Sequence, residues 1–297
     1  MTDEPQIFDR ALLWRRRNRV AAAAGQHDFL LASTADELME RLAIVQRRFA
    51  VVLDLGAHHG LLGDRLRSLP GVETVIQMEP VAGLLRQCRG LRVRGDEEAL
   101  PFRGQSLDLV VSALALQLVN DLPGTLLQIR RALRPDGLLL ASLLGGATLN
   151  ELRTALLLAE EEVAGGASPR VAPFADVRDL GALLQRAGFA LPVADAYSIT
   201  VTYPDALALM HELKAAGVAN ALRTRTRRPL RRHTLARALE HYRERYALPN
   251  GRVPATFEIV TLTGWAPHES QQQPLRPGSA TVRLAEALNT VERSATD

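Results

Sequence analysis

Residues 49–60 read FAVVLDLGAHHG, and the interpretation of the whole chain turns on them. Phe49 to Leu53 is a continuous apolar run, the pattern of a strand buried on both faces of a sheet. Asp54 follows the run, Gly56 and Gly60 bracket a short turn, and LLGDRLRSL at 61–69 continues as a helix-like stretch. Such a turn brings backbone close to a nucleotide-containing ligand, since glycine carries no Cβ to block the approach. The middle of the turn holds His58 and His59. Adjacent residues seldom point at one ion and no other ligand motif accompanies the pair, so no metal is expected.

The surrounding sequence extends this pattern. From Phe49 to about Gly145 short apolar runs alternate with amphipathic segments, the sign of βαβ units and a parallel sheet. Further strand candidates are VETVIQME (72–79), LRVRG (91–95), LDLVVSA (107–113) and LLLASLL (138–144). Between them lie helix candidates, PVAGLLRQC (80–88) and DLPGTLLQIRRAL (121–133), the latter with Leu122, Leu126, Ile129 and Leu133 on one stripe. Asp136-Gly137 marks a tight turn. Upstream, IFDRALLWRRRNR (7–19) and TADELMERLAIVQRR (34–48) read as helices, the second with Thr34 as N-cap and Glu37 three residues on. Downstream, helices are expected over 147–163, 176–189, 204–216 and 233–246, and strands over 196–203 and 256–265. The expected division is a helical lead-in over 1–48, an α/β domain over 49–284 with helical additions at about 148–188 and 204–250, and a polar tail over 285–297.

Composition excludes several classes. With 297 residues, 47% hydrophobic and 23% charged, the chain can bury a substantial core and is neither fibrous nor disordered. No apolar run approaches the roughly 18–20 residues that cross a bilayer. Three acidic residues within the first nine argue against a signal or transit peptide. The single cysteine, Cys88, has no disulfide partner and suits a packed position in a reducing compartment. A net charge of +3 does not indicate nucleic-acid binding, but the arginines are uneven. Arg15, Arg16, Arg17 and Arg19 form one group, and Arg223, Arg225, Arg227, Arg228, Arg231 and Arg232 another. Such groups are solvated faces or attract acidic partners.

Two acidic positions complete the candidate site. Glu79 ends the second strand candidate, where a carboxylate accepts both ribose hydroxyls of a bound nucleoside. GDEEALPF (95–102) follows the third, placing Asp96 or Glu97 at the carboxyl edge of the sheet, where either accepts a proton from an adenine amino group.

The EALPF box at 98–102, the LDLVVS strand and LRPDGLLL at 133–140 resemble class I S-adenosylmethionine-dependent methyltransferases. That resemblance implies a Rossmann-like, doubly wound, mostly parallel sheet that binds S-adenosylmethionine. By it, Asp54 and Gly56 line the methionine end, Glu79 the ribose, and Asp96 with Glu97 the adenine, with Ala57, His58, Gly60 and Ser112 completing the cofactor set. His58 then either faces the sulfonium end or is a loop residue turned to solvent.

Other motifs are narrower. PFADVRDLGALLQRAGF (173–189), VPATFEIV (253–260), HESQ (268–271), GSATV (278–282), the IFDR opening (7–10) and VNDLP (119–123) resemble the complex I assembly factor 5 family, over about Phe8 to Val282. The resemblance implies hydroxylation of an arginine in a quinone-module subunit of respiratory complex I. No histidine here is followed two residues later by Asp or Glu, so the facial-ligand motif of an iron oxygenase is missing from the sequence.

The chain departs from the family at His58, where glycine is usual, and at Gln117, where a histidine commonly follows the fourth strand. His268 and Glu269 are substrate-side candidates, Glu269 able to pair a guanidinium bidentately. Two alternatives stand beside arginine hydroxylation: a conventional methyltransferase acting on a small molecule or carrier-bound acyl group, and a cofactor-free assembly scaffold. The expected setting is a bacterial cytoplasm, with the product acting beside the inner membrane.

Overall fold

A computed structural model of the chain describes residues 6–272, 282, 284–287 and 289–290. Its strands are β1 (Val51–Leu55), β2 (Thr74–Met78), β3 (Leu91–Val93), β4 (Leu107–Ala113), β5 (Leu133–Leu144), β6 (Ala190–Tyr203) and β7 (Val253–Trp265). They form one sheet in the order β3-β2-β1-β4-β5-β7-β6. β1 to β5 pair in parallel and β7 pairs antiparallel with both β5 and β6. This is the doubly wound, mostly parallel sheet expected from the sequence.

Both faces of the central strands are buried, and alternate residues divide between two cores. Leu53, Leu55, Val110, Leu139 and Ala141 face Leu126 and Ile129 of α5 (Leu122–Ala132) and Leu180 and Leu184 of α7 (Val177–Arg186). Val52, Leu109, Val111 and Leu140 face Leu38 of α2 (Phe29–Ala43) and Leu62 and Leu66 of α3 (Leu61–Leu66). Burying each such side chain contributes about 1.5–3 kcal/mol. The stripe expected on α5 lies against the sheet, and Asp121 caps the helix by accepting from the Gly124 amide at 2.7 Å.

A third cluster joins α6 (Asn150–Ala164), α8 (Ala206–Ala215) and α9 (Arg232–Tyr246) to the ends of β6 and β7 through Leu152, Leu209, Tyr242 and Phe257. The fully buried Tyr242 donates its hydroxyl to Pro254 O at 2.7 Å. Before the sheet comes α1 (Arg10–Val20), and α4 (Ala82–Leu85) follows β2.

Several local expectations are corrected. Thr34 is not an N-cap: α2 begins at Phe29 because Leu30 and Leu31 also pack inward, which leaves Thr34 buried in mid-helix. The segment PVAGLLRQC forms only the single turn of α4. Asp136 and Gly137 lie inside β5, where Leu133 pairs with Leu107 and Leu138 with Leu109, so the residues between bulge outward with Asp136 at φ 63°. β6 starts at Ala190 instead of Ala196, with Pro192 in a register shift that an edge strand tolerates.

The chain forms one compact unit through Pro267 and a second from His268 onward. In the second, His268 is exposed and its Nδ1 lies 2.6 Å from the Ser270 hydroxyl, while Glu269 is also exposed. Most of GSATV and of the polar tail lies outside the described residues. Among the described residues no helix is long and apolar enough to cross a membrane.

Candidate functional site

Strand order reverses between β1 and β4, so the loops leaving their carboxyl ends diverge and open a crevice, the usual ligand position in such sheets. The loop after β1 carries three left-handed residues, Gly56 at φ 72°, His58 at φ 50° and Gly60 at φ 93°. The amides of Gly56 and Ala57 both donate to Met78 O at 2.9 Å, and that of His58 donates to Glu79 Oε2 at 3.0 Å. The loop is thereby tied to the end of β2. A Cβ on Gly56 would lie 2.2 Å from the Ala115 Cβ, and one on Gly60 would lie 3.0 Å from Cys88 Cα. These glycines are demanded by this chain's own close approaches as well as by φ.

The two histidines diverge. His58 Nε2 lies 3.2 Å from Ala113 O at the end of β4, whereas His59 Nε2 lies 3.0 Å from Asp28 at the start of α2. Burial, then the Arg17 guanidinium and His59, pull the His58 pKa down to about 3. The ring is therefore neutral, donating from Nε2 and leaving Nδ1 an acceptor. A histidine at φ 50° costs about 1–2 kcal/mol relative to glycine. Cys88 is buried, its Sγ 3.5 Å from His58 O, and burial pushes its pKa up to about 12. It is a packed thiol without nucleophilic character.

Asp54 is buried beneath the loop, where Gln77 Nε2 donates to it at 3.3 Å. Burial raises its pKa to about 7 against that hydrogen bond. Glu79 is fully buried at the end of β2, with Oε1 accepting from the Val81 amide at 3.0 Å and Oε2 from His58. Burial pushes it up to about 8. Ser112 donates its hydroxyl to Leu55 O at 2.8 Å and is fully buried. Its hydrogen is committed to tying β4 to β1.

The structure adds two residues, Arg17 from the first arginine group and Arg10 from the IFDR opening. Arg10 and Arg17 lie seven apart on α1, and both are buried with Leu13 and Ala21 on the same stripe. The a/d-like spacing 10, 13, 17 was the available signal, masked because arginine is seldom buried. Arg10 forms ion pairs with Asp96, Glu97 and Glu98, the last at 3.0 Å. Asp96 and Glu97 are thus brought together at the sheet edge, with an arginine of the same chain already on them.

α1 is held there by several ties. The Gly83 amide donates to Asn18 Oδ1 at 2.9 Å, Phe8 N to Asn120 Oδ1 at 2.7 Å, and Arg16 Nη1 to Asn220 O at 2.6 Å. In the second arginine group only Arg225 is engaged at length, with Asp9 at 3.2 Å and Leu222 O at 2.7 Å, while Arg223, Arg227, Arg228, Arg231 and Arg232 are exposed.

Beside the loop lies a cavity of about 380 Å³, walled largely by leucines and phenylalanines of α1, α2, α6 and α8 and by Phe257. His58, His59, Arg17 and Gln117 border it. Gln117 donates to Leu114 O at 2.8 Å, which leaves its buried Oε1 without a donor.

Comparison with known proteins agrees with this arrangement. A family profile described as "Methyltransferase domain" matches residues 53–141, from within β1 into β5. The chain is 36% identical over 291 residues to "Arginine-hydroxylase NDUFAF5, mitochondrial" of Danio rerio, covering 94% of this chain and 89% of that protein. The chain belongs to the complex I assembly factor 5 family, within the class I methyltransferases. It is also 33% identical over 275 residues to the "Malonyl-[acyl-carrier protein] O-methyltransferase" of Gallionella capsiferriformans (strain ES-2), covering 88% of this chain and 92% of that one. Among solved structures, a putative methyltransferase (BH2331) from Bacillus halodurans C-125 superposes with a TM-score of 0.55 at 17% identity, over 80% of this chain and 100% of that one, which establishes a shared fold.

The residues of this family member suit S-adenosylmethionine. Each Glu79 oxygen accepts one amide and retains a lone pair for a diol, and Gln117 presents a buried Oε1 with no hydrogen-bond donor among the described residues.

Proposed function

We propose that this chain binds S-adenosylmethionine at the carboxyl edge of β1, β2 and β4 and modifies an arginine of a quinone-module subunit of respiratory complex I, by family resemblance hydroxylating it with one atom of molecular oxygen while two electrons from an external donor reduce the other atom to water. The observation that carries the reading is the kinship with an arginine hydroxylase over 94% of the chain. Asp54 and the Gly56–Gly60 loop, including Ala57 and His58, hold the methionine end, and Glu79 accepts the ribose hydroxyls. Asp96 and Glu97 receive the adenine amino group once Arg10 yields its place. The bound cofactor supplies a sulfonium charge and an electrophilic methyl group. Gln117 Oε1 and the neutral His58 ring are acceptors for guanidinium N–H groups entering the cavity. The exposed arginines between 223 and 232 meet an acidic face of the partner in the cytoplasm, beside the inner membrane. Peptide mass spectrometry of the subunit from a deletion strain tests this: the oxygen mass on one arginine disappears, and an unchanged spectrum defeats the proposal.

A second reading, methyl transfer to a carrier-bound acyl group, is favoured by the apolar walls of the cavity and by the kinship to the malonyl-carrier methyltransferase. Transfer of label from methyl-labelled cofactor to an acyl carrier supports it, and no transfer removes it. The cofactor-free scaffold is favoured by Arg10 sitting on the adenine carboxylates. Calorimetry separates it from both enzymes, since micromolar binding of S-adenosylmethionine rules it out.

A further inference from the structure

Arg17 has no role in the reading above. Its side chain is 6% exposed and borders the cavity together with His58 and Gln117. Among the described residues it has neither a hydrogen-bond acceptor nor an ion pair within bonding distance, in contrast to Arg10 on the same helix face. Glu79 and Glu97 act on it only from farther away. The position is built: Gly217, at φ 75°, lies so close that a Cβ there would come within 3.1 Å of Arg17 Cα and 3.2 Å of its Cγ. The stem is therefore clamped. A buried cation that bonds no carboxylate is costly, and the cost is relieved when a ligand brings an anion to it.

We propose that Arg17 is the anchor for a carboxylate carried into this cavity, either the amino-acid carboxylate of the cofactor or a carboxylate on an apolar substrate. A planar guanidinium donates to two carboxylate oxygens side by side, and the apolar walls keep water from competing. The neutral ring of His58 beside it adds no second positive charge, and of the other cations lining the cavity Arg170 is paired with Glu160 and Lys214 is exposed, so Arg17 is the buried one that bonds no carboxylate among the described residues. The cofactor form of the proposal rests on the proposed binding of S-adenosylmethionine, whereas the substrate form does not.

The test is calorimetry on the full chain, comparing wild type with Arg17→Met and Arg17→Lys. One pair of probes is S-adenosylmethionine and its decarboxylated analogue, and the other is decanoate and decanol. Wild type is expected to prefer the carboxylated member of at least one pair by about 10- to 100-fold, the range for hydrogen bonds to charged groups. Arg17→Met abolishes that preference while still binding the uncharged member, and Arg17→Lys retains part of it. Loss confined to the first pair assigns the anchor to the cofactor, and loss confined to the second assigns it to a substrate. No binding of either nucleoside by wild type refutes the cofactor reading but leaves the decanoate pair to decide the role of Arg17. No discrimination by wild type in any pair that binds, or a preference that survives in Arg17→Met, overturns the proposal. Thermal melting of Arg17→Met provides the folding control: a ligand anchor predicts a melting temperature equal to or above wild type without ligand, and a structural arginine predicts a lower one.

Discussion

Replacing Gly56 by alanine isolates what the loop after β1 requires. At φ 72° an alanine costs about 1–2 kcal/mol relative to glycine. Its Cβ would also stand 2.2 Å from the Ala115 Cβ, where contacting carbons rest at about 3.5–4.0 Å. The Ala115 methyl is rooted in backbone and cannot rotate away, so the loop after β4 must move, an overpacking cost of about 1–3 kcal/mol. The sum is about 2–5 kcal/mol, a large share of the roughly 5–15 kcal/mol that holds a domain together. Urea unfolding followed by tryptophan fluorescence measures it as a fall in midpoint at unchanged slope. Ala115→Gly in the same chain removes the opposing methyl and returns the overpacking share, less about 0.5–1 kcal/mol for the new glycine. If the double variant is no more stable than Gly56→Ala, the contact is not the cause. A loss below 1 kcal/mol in the single variant refutes the description of the loop as closed against Ala115.

Arg10→Met leaves Glu97 buried without its partner, and about 3–5 kcal/mol of stability is expected to be lost in the same urea assay; a loss under 1 kcal/mol contradicts the burial of that pair. The Glu79 pKa rises from 4.5 to about 8 on folding, so the folded state holds an extra proton between those values and stability falls as pH rises through them, by up to about 1.4 kcal/mol per unit. Glu79→Gln should flatten this slope between pH 5 and 8, and a slope equal to wild type would falsify the assignment. Cys88, buried with its pKa near 12, should resist iodoacetamide at pH 8 in native protein and react after urea is added; rapid native labelling shows that it is accessible.

How much of the site was legible follows from the kind of pattern each part leaves. Asp54, Gly56, Gly60 and Glu79 stand at the ends of apolar strands, and strand ends are marked by local sequence. Asp96 and Glu97 were legible for the same reason. His58 was legible as an anomaly, but only the fold shows its ring turned to Ala113 O and its amide spent on Glu79. Ser112 entered the cofactor set through the resemblance, and nothing local reveals that its hydroxyl reaches Leu55 O on the neighbouring strand. Thr34 shows the reverse error, a capping pattern overridden because the residues before it had hydrophobic surface to bury.

The sequence alone determined the strand and helix alternation, the placing of acidic residues at the carboxyl edge and the family, because periodicity and short motifs are local properties of the chain. Tertiary structure decided the fate of the charges. Arg10 meets carboxylates 86 to 88 residues away and Arg17 meets none at bonding distance among the described residues, a difference invisible in the segment RALLWRRRNR. The energy of a buried charge depends on what faces it across the fold, and the carboxylates that face Arg10 and Arg17 follow β2 and β3, far from α1 along the chain.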